Sequence, residues 1–349
     1  MNSPARQDES AYPTVETVDY HTAGEPFRIV ARPPVQFPGA TVAEKRALAI
    51  TDPTIDRLRK VLCFEPRGHA DMYGGFITPA DDDGAHFGVL FWHKDGFSTA
   101  CGHGTIALGA WAIDTGLVEA DPSGTTDVII DVPSGRVTAR VRTDDRGRST
   151  SAEFVNVASR LVAEDVSVTT TRGACQVALG WGGALYACLD VALAGLRVAP
   201  EDLNALIALG REVKAALADD PRIQHPNDPR LNGVYGTVLF EDLGTLPTGE
   251  LHQRNVTVFA DGQVDRSPCG SGTAARVAVL HATGALRDGQ DLVHDSIVGT
   301  RFHARVEETT TVHGEPAVVP VVTGNAYKVA QSTFVVDPRD ELTPGFVLR

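Results

Sequence analysis

The sequence predicts an α+β fold made of two similar halves, each a curved, mostly antiparallel sheet wrapped around one central helix. Three observations lead to this prediction: landmarks that recur at a nearly constant spacing, short strand-like runs bounded by turn residues, and two helices that each follow a cysteine. A sheet that wraps a helix buries the apolar faces of both elements, as such short strands require.

The repeated spacing connects segments that are far apart along the chain. Cys101 and Cys269 are 168 residues apart, and each is followed by the same pattern of threonine and glycine. Three further pairs keep similar offsets of 165, 162 and 159 residues, namely Ala139-Arg140-Val141 with Ala304-Arg305-Val306, Tyr73-Gly74 with Tyr235-Gly236, and Gly24 with Gly183. Offsets that drift so little indicate an internal duplication.

The duplication divides the chain into three predicted parts. Residues 1–14 are polar and are expected to form a disordered tail. Residues 15–160 would be the first half, carrying Cys101, and residues 161–349 the second half, carrying Cys269, with the last strands able to pack on the first half. Pseudo-symmetry of the halves would bring the two cysteines to one cleft between the domains, a favoured place for a ligand site.

The elements of the first half follow in order. Strand candidates at 14–20 and 27–30 precede a region of helical periodicity at 42–62, which is interrupted near Pro53. A buried-strand candidate at 87–92 leads to the loop around Cys101 and to a helix from Ile106 to about Asp114. This helix is apolar on all sides, which predicts a central position. Further short strand candidates in the two halves are 128–132, 137–141, 256–259 and 318–322.

Composition excludes several classes of partner. The formal net charge is −14 and basic residues are not clustered, which argues against nucleic acid or an anionic membrane as a partner. No apolar run of about 18 residues is present, and the first residues lack the apolar core of a signal peptide. We therefore expect a cytoplasmic protein, monomeric or homodimeric, that acts on a small molecule.

The five cysteines do not form a pattern typical of disulfides or zinc. Their number is odd, they are far apart and no two are spaced as C-x-x-C, so we expect neither a disulfide framework nor a bound metal. Cys63, Cys175 and Cys188 are interpreted as small buried hydrophobic residues.

Cys269 is different because it stands where a helix is predicted to begin. Pro268 ends any preceding element, Gly270 and Gly272 leave backbone N–H groups uncovered, and a helical run follows. A helix N-terminus favours a thiolate and offers amides to an anion. Cys101 has the same context in the other half.

Two such thiols on opposite sides of one carbon could invert its configuration without a cofactor. A thiolate would remove a proton from one face while a thiol delivers one to the other. The substrate needs an acidifying group beside that carbon, and a carboxylate held by the two helix starts would supply it. An α-amino or α-imino acid meets this requirement.

The same segments identify a family resemblance that extends over nearly the whole chain. Cys101-Gly102-His103-Gly104-Thr105 and Asp265-Arg266-Ser267-Pro268-Cys269-Gly270 resemble the motifs of the proline racemase family, together with His21-Thr22-Ala23-Gly24-Glu25-Pro26 and Glu65-Pro66-Arg67-Gly68-His69. The family includes proline racemases, hydroxyproline 2-epimerases and trans-3-hydroxy-L-proline dehydratases. The resemblance implies a fold of the diaminopimelate epimerase type.

The resemblance also implies a role for each matching residue. Cys101 and Cys269 would be the acid/base thiols, and His103 and Asp265 would contact the ring nitrogen. The backbone amides of Gly102, His103, Gly270 and Ser271 would hold the carboxylate, with Gly104 also among the substrate-binding residues, and Tyr73 and Phe259 would form the walls of the ring pocket. The structural alternatives are a plain loop histidine for His103, a helix cap for Asp265 and core packing for Tyr73 and Phe259.

One departure leaves the reaction open. The segments around Tyr73 and Phe259 resemble the dehydratase branch, yet that branch has threonine where this chain has Cys269. A dehydratase needs one base and no donor on the opposite face, whereas a second thiol permits inversion, so we favour racemisation or epimerisation of proline, 3-hydroxyproline or 4-hydroxyproline. Trans-3-hydroxy-L-proline dehydration and non-catalytic amino-acid binding remain the alternatives.

Overall fold

A computed structural model describes residues 13–348 of the chain. The predicted disordered tail, 1–14, lies outside the described residues except for its last two positions. Within 13–348, no helix is both long and apolar enough to cross a membrane.

The first half contains two outer helices, one central helix and eight strands in chain order. The helices are α1 (Val42–Ala49), α2 (Pro53–Cys63) and α3 (Gly102–Asp114). The strands are β1 (Val15–Thr22), β2 (Glu25–Val30), β3 (Gly74–Thr78), β4 (Phe87–His93), β5 (Gly96–Phe97), β6 (Thr125–Val132), β7 (Gly135–Thr143) and β8 (Ser149–Val155).

The second half repeats this order with one long outer helix. The helices are α4 (Leu203–Ala216) and α5 (Gly270–Ala282). The strands are β9 (Arg160–Thr170), β10 (Gly173–Trp181), β11 (Leu185–Asp190), β12 (Val234–Thr245), β13 (Leu251–Phe259), β14 (Gln263–Asp265), β15 (Leu292–Ser296), β16 (Arg301–Val312), β17 (Glu315–Gly324) and β18 (Ala326–Phe334).

Strand pairing has the same sequence of directions in both halves. In the first half, β1/β2 and β3/β4 are antiparallel, while β2/β3 and β4/β6 are parallel. In the second half, β10/β11 and β12/β13 are antiparallel, while β11/β12 and β13/β15 are parallel. The remaining pairs are antiparallel, so the predicted α+β architecture with a mostly antiparallel sheet is confirmed.

The sequence landmarks occupy equivalent places in the two halves. Gly24 and Gly183 both have positive φ, at 97° and 89°, in the turns that enter β2 and β11. Such turns favour glycine because a Cβ is disfavoured at that φ. Cys101 and Cys269 stand directly before α3 and α5.

The last strand crosses back to the first half. β18 pairs with β1, from Val15 opposite Phe334 to Thr22 opposite Ala326, in the place that β9 takes beside β10. The two halves also share a strand pair, β8 with β17. The division near residue 160 stays a prediction, although β9 itself begins at that residue.

The two central helices are buried on all sides, as the apolar character of α3 predicts. Residues 102–113 of α3 and 270–280 of α5 are all buried. α3 begins four residues before the predicted Ile106, because Cys101 itself caps it. Asp52 caps α2 through the N–H groups of Thr54 and Ile55, which explains the predicted interruption near Pro53. The amphipathic helix α4 was not predicted.

Arg28 joins several elements at the outer side of the first half. It stands opposite Asp19 across β1 and β2, and its Nη2 is 2.8 Å from Asp19 Oδ2. Its Nη1 donates to the carbonyl oxygens of Leu62 at 2.7 Å and Arg67 at 2.8 Å, and its guanidinium lies 4.3 Å from the ring centre of Phe334. This single side chain therefore connects the end of α2 to the β1–β2–β18 edge.

Replacement of Arg28 by methionine should lower the free energy of unfolding by about 3–5 kcal/mol, because the buried Asp19 carboxylate loses its partner. Urea denaturation measures the change. Arg148→Met is the control: Arg148 is exposed and pairs with Asp144 at 2.6 Å, so its removal should cost less than about 1 kcal/mol. Equal losses in the two variants would contradict the assignment of Arg28 as a structural connector.

Candidate active site

The N-termini of α3 and α5 meet in the cleft between the halves. A Cβ added to Gly102 would lie 2.5 Å from Gly270 Cα, and one added to Gly270 would lie 2.5 Å from Gly102 Cα. No side chain fits between the two backbones. The N–H groups of a first helical turn have no acceptor within the helix, so the uncapped amides of both helices converge on this point.

Cys101 is held in place as the N-cap of α3. Its Sγ accepts a hydrogen bond from Gly104 N–H at 3.2 Å and lies 3.5 Å from Nε2 and 3.6 Å from Nδ1 of His103. The side chain is 4% exposed. The N–H of Gly104 is therefore used by the thiol of Cys101 in this structure. The predicted role of Gly104 in substrate binding stays a prediction.

Cys269 stands at the start of α5 in a different backbone conformation. Its φ of 64° lies in the left-handed region, which non-glycine residues rarely adopt. Hydrogen bonds hold the turn: Asp265 Oδ1 accepts from the N–H and the hydroxyl of Ser267, and Ser267 Oγ accepts from Cys269 N–H at 3.1 Å. The carbonyl of Pro268 accepts from Asn255 and Thr273. The conformation thus depends on the whole Asp265–Thr273 segment.

His103 and Asp265 come together from opposite halves. His103 Nδ1 lies 3.7 Å from Asp265 Oδ2, and both side chains are buried. The carbonyl of His103 accepts from the hydroxyl of Thr22 at 2.8 Å, which orients the start of α3. An imidazole and a carboxylate therefore face the same space as the two thiols.

Burial overrides the effect expected of the helix dipoles on the thiols. It raises the pKa of Cys101 well above the ordinary value; the Gly104 N–H opposes this rise, and the negative charge of Asp265 adds to it. Burial also raises the pKa of Cys269, with Asp265 as the next contribution. Both cysteines are consequently thiols near neutral pH when no substrate is bound.

Aromatic side chains close the cleft beside the thiols. The ring of Tyr73 lies 5.0 Å from the ring of His103 and 5.7 Å from the ring of Phe259. Tyr235 stacks on Phe259 at 5.8 Å with an interplanar angle of 19°. Tyr73 and Phe259 therefore lie together beside His103, and their role as walls of the ring pocket stays a prediction.

Further hydroxyl-bearing residues, which have no role assigned from the sequence, contact the residues of this cleft. The Tyr73 hydroxyl is hydrogen-bonded to the hydroxyls of Ser98 and, at 3.0 Å, Tyr235, and Tyr186 is bonded to Ser271 at 2.7 Å. The signal for Tyr235 was present, since the repeat pairs Tyr235-Gly236 with Tyr73-Gly74. Ser98 lies in the loop before Cys101, within the Phe97-Ser98-Thr99 segment that resembles the dehydratase branch, whereas Tyr186 lies in β11 and had no comparable signal.

Buried carboxylates of the first half hold the 264–266 segment, which lies shortly before Cys269. Glu25 is fully buried, its Oε2 accepts from Arg266 N–H at 2.7 Å, and burial followed by the charge of Asp265 raises its pKa well above the ordinary value. Asp71 accepts from Val264 N–H and, at 2.8 Å, from Arg266 Nη2. The 264–266 segment is thus fixed by carboxylates of the opposite half.

No group of three or more His, Cys, Asp and Glu side chains in the described part of the chain is arranged to hold a metal ion. Cys63, Cys175 and Cys188 are buried and free, in agreement with their interpretation as small apolar residues.

Comparison with known proteins identifies the family of this chain. The sequence model described as proline racemase matches residues 17–347. The chain belongs to the proline racemase family. It is 42% identical to a trans-3-hydroxy-L-proline dehydratase of Bacillus cereus, over 95% of this chain and 97% of that protein. It is 43% identical to a 3-hydroxyproline 2-epimerase of Burkholderia multivorans, over 96% of this chain and 98% of that protein.

A solved structure extends the similarity to three dimensions. The hydroxyproline epimerase from Agrobacterium vitis with bound trans-4-OH-L-proline superimposes with a TM-score of 0.89 at 29% identity, over 97% of each chain. The predicted epimerase-type, two-domain fold is therefore confirmed.

Asp265→Asn should lower the pKa of both cleft thiols, because it removes a negative charge that disfavours each thiolate. At a fixed pH near 8 the thiolate fraction rises, so alkylation of Cys101 and Cys269 by iodoacetamide should accelerate by about three- to tenfold. Peptide mass spectrometry resolves each site.

Cys63 is the internal reference for this experiment. Burial raises its pKa to about 12, and Asp265 is not among the charges that act on it. An equal acceleration at Cys63 would mean that the variant has opened globally, and unchanged rates at Cys101 and Cys269 would contradict the electrostatic role of Asp265.

Proposed function

We propose that this protein is a cofactor-independent racemase or epimerase that inverts Cα of proline or a hydroxyproline, with Cys101 and Cys269 as its two acid/base groups. The observation that supports this most directly is that both cysteines stand at helix starts whose first residues, Gly102 and Gly270, are in contact. A small substrate held between these starts would have one sulfur on each side.

The substrate carboxylate is proposed to bind the uncapped amides of Gly102, His103, Gly270 and Ser271. Helix N-termini combine free N–H donors with a favourable dipole, so they hold an anion well. The same amides would stabilise the charge that develops on the carboxylate when Cα loses its proton. Tyr186 supports this side by fixing the hydroxyl of Ser271.

The ring nitrogen is proposed to lie against Asp265 and His103. A protonated ring nitrogen beside Asp265 would cancel the negative charge that raises the pKa of both thiols. Binding of the substrate would therefore favour the one thiolate that the reaction needs. The raised pKa of both sulfurs keeps them as thiols, which are less readily oxidised than thiolates.

Inversion then requires two proton transfers of opposite direction. The thiolate of one cysteine takes the Cα proton, and the S–H of the other delivers its proton to the opposite face of the carbanion. The configuration at Cα is reversed, and the two cysteines have exchanged their protonation states. When the product leaves, the remaining thiolate regains a proton from solvent, and the next substrate binds with the loss of one proton from the thiol pair, so a full turnover consumes no protons.

The walls of the cleft favour a hydroxylated ring over plain proline. Three hydroxyls, of Tyr73, Ser98 and Tyr235, are bonded together beside Phe259, and burial raises the pKa of both tyrosines, so they stay neutral. This cluster can exchange one of its mutual hydrogen bonds for a bond to a substrate hydroxyl. The names of the relatives, 3-hydroxyproline 2-epimerase and trans-3-hydroxy-L-proline dehydratase, agree with a 3-hydroxyl.

Dehydration of trans-3-hydroxy-L-proline is the second candidate. The same hydroxyl cluster could protonate a leaving 3-hydroxyl, and one thiolate would suffice as the base. The second thiol at 269 is what favours inversion, because it supplies a proton donor on the face that a dehydratase leaves without one.

Cys269→Ala should abolish inversion, with a loss of about 10²–10⁴-fold or more, because one face of Cα loses its acid/base group. L-proline and the 3- and 4-hydroxyproline isomers are followed in D₂O by NMR, which separates inversion with deuterium at Cα from loss of the hydroxyl. Cys175→Ala is the matched control, since it removes a buried thiol of the same half away from the cleft and should keep the wild-type rate.

The same spectra decide between the candidates. Formation of a pyrroline carboxylate by the wild-type protein, surviving in Cys269→Ala, would establish the dehydratase. Inversion at an undiminished rate in that variant would refute the two-thiol mechanism. No change at Cα in any substrate would indicate a binding protein.

A further inference from the structure

A second space lies on the outer side of the aromatic wall. It is a cavity of about 390 Å³ whose lining comes from both halves, with Arg46 and Ser98 from the first and Lys214 and Tyr235 from the second. The hydroxyls of Ser98 and Tyr235 are the two that hold the hydroxyl of Tyr73. The cavity, which we name the vestibule, thus shares Ser98 and Tyr235 with the hydroxyl-bonded wall of the cleft.

Two half-buried cations of the vestibule have only neutral partners. Arg46 donates from Nε to the carbonyl of Phe97 at 2.9 Å and from Nη1 to the carbonyl of Arg230 at 3.3 Å. Lys214 donates from Nζ to the carbonyl of Ala260 at 2.6 Å. Neither of them forms an ion pair within residues 13–348. Burial lowers the pKa of both side chains, so a nearby anion would stabilise each of them.

The other charged groups of the lining are already neutralised. Asp95 pairs with Lys94 at 3.1 Å, Asp261 pairs with Arg211 at 2.9 Å, and Arg230 pairs with Asp228 at 2.6 Å. The vestibule therefore has an excess of positive charge in a protein whose formal net charge is −14. A local excess of positive charge attracts an anion, whereas the negative net charge of the rest of the protein repels it.

His93 shows that the positive field reaches the inner wall. Burial lowers its pKa to about 3, and the charge of Arg59, followed by those of Lys214, Lys94 and Arg46, acts in the same direction. The imidazole is therefore neutral, and its ring lies 5.6 Å from Tyr73 and 5.8 Å from Phe259. Fixed positive charge thus extends from the mouth of the vestibule to the walls proposed to contact the substrate.

We propose that Arg46 and Lys214 form an entry site for the carboxylate of a small cyclic amino acid, which is held in the vestibule before it passes the Tyr73 and Tyr235 wall. The inference rests on the proposed function for the identity of the substrate. The ligand class itself follows from the vestibule: two cations that form no ion pair within the described residues, contributed by opposite halves, line a space that suits a small anion, although Asp95 and Asp261 act on Lys214 at longer range.

The test removes each charge while keeping most of the side-chain volume. Arg46→Met and Lys214→Met should each raise KM for the preferred proline isomer by about tenfold and leave kcat within about twofold, because the charges act on capture and not on proton transfer. Inhibition by acetate, the simplest carboxylate probe, should weaken by a similar factor. Arg46→Lys and Lys214→Arg keep the charge and should restore most of the affinity.

Arg148→Met is the charge-matched control. It removes one positive charge from an exposed hairpin and should change neither KM nor acetate inhibition. Unchanged KM and unchanged acetate inhibition in both Arg46→Met and Lys214→Met, with normal thermal melting, would overturn the proposal, as would an effect confined to kcat. If Arg46→Met does not fold, Lys214→Met and its arginine counterpart decide the question alone.

A second measurement tests the entry site even if the proposed function is wrong. If the wild-type protein turns over no proline isomer, binding of acetate is measured directly by calorimetry. A weaker acetate affinity in the two methionine variants would still support a carboxylate site in the vestibule, and equal affinity in wild type and variants would overturn it.

Discussion

The close approach of two helix N-termini is the constraint on which the site depends. Gly102 and Gly270 touch through their backbones, so each helix start is fixed by the other. This contact requires two central helices that are buried on all sides, with the strands of each half of one continuous sheet paired in the same order around them. The duplicated fold therefore supplies two matching groups, one from each half, at a single point.

The two thiols are equivalent in the repeat but not in their surroundings. Cys101 has an extended backbone and its sulfur lies beside His103, whereas Cys269 has a φ of 64° and depends on the bonds among Asp265, Ser267 and Pro268. The asymmetry places one imidazole–carboxylate pair, His103 with Asp265, beside the thiols.

Burial controls the protonation of the site more strongly than the helix dipoles do. A helix start favours a thiolate by a modest amount, whereas removal of a charge from water costs more, and the nearby carboxylate of Asp265 adds to that cost. Both thiols of the cleft are therefore neutral in this structure. Under the proposed function, a cationic nitrogen beside Asp265 would reduce this effect and so favour the thiolate.

The sequence by itself determined the duplication, the central helices, both cysteines at helix starts and the family, because caps, periodicity and glycine turns are local patterns. Only the tertiary structure decided the return of β18 to the first half, the grouping of Tyr73, Ser98 and Tyr235, and the raised pKa of the thiols. These features depend on contacts between segments far apart in the chain and on the exclusion of water. Neither can be deduced from neighbouring residues, and both decide whether Cys101 and Cys269 are charged.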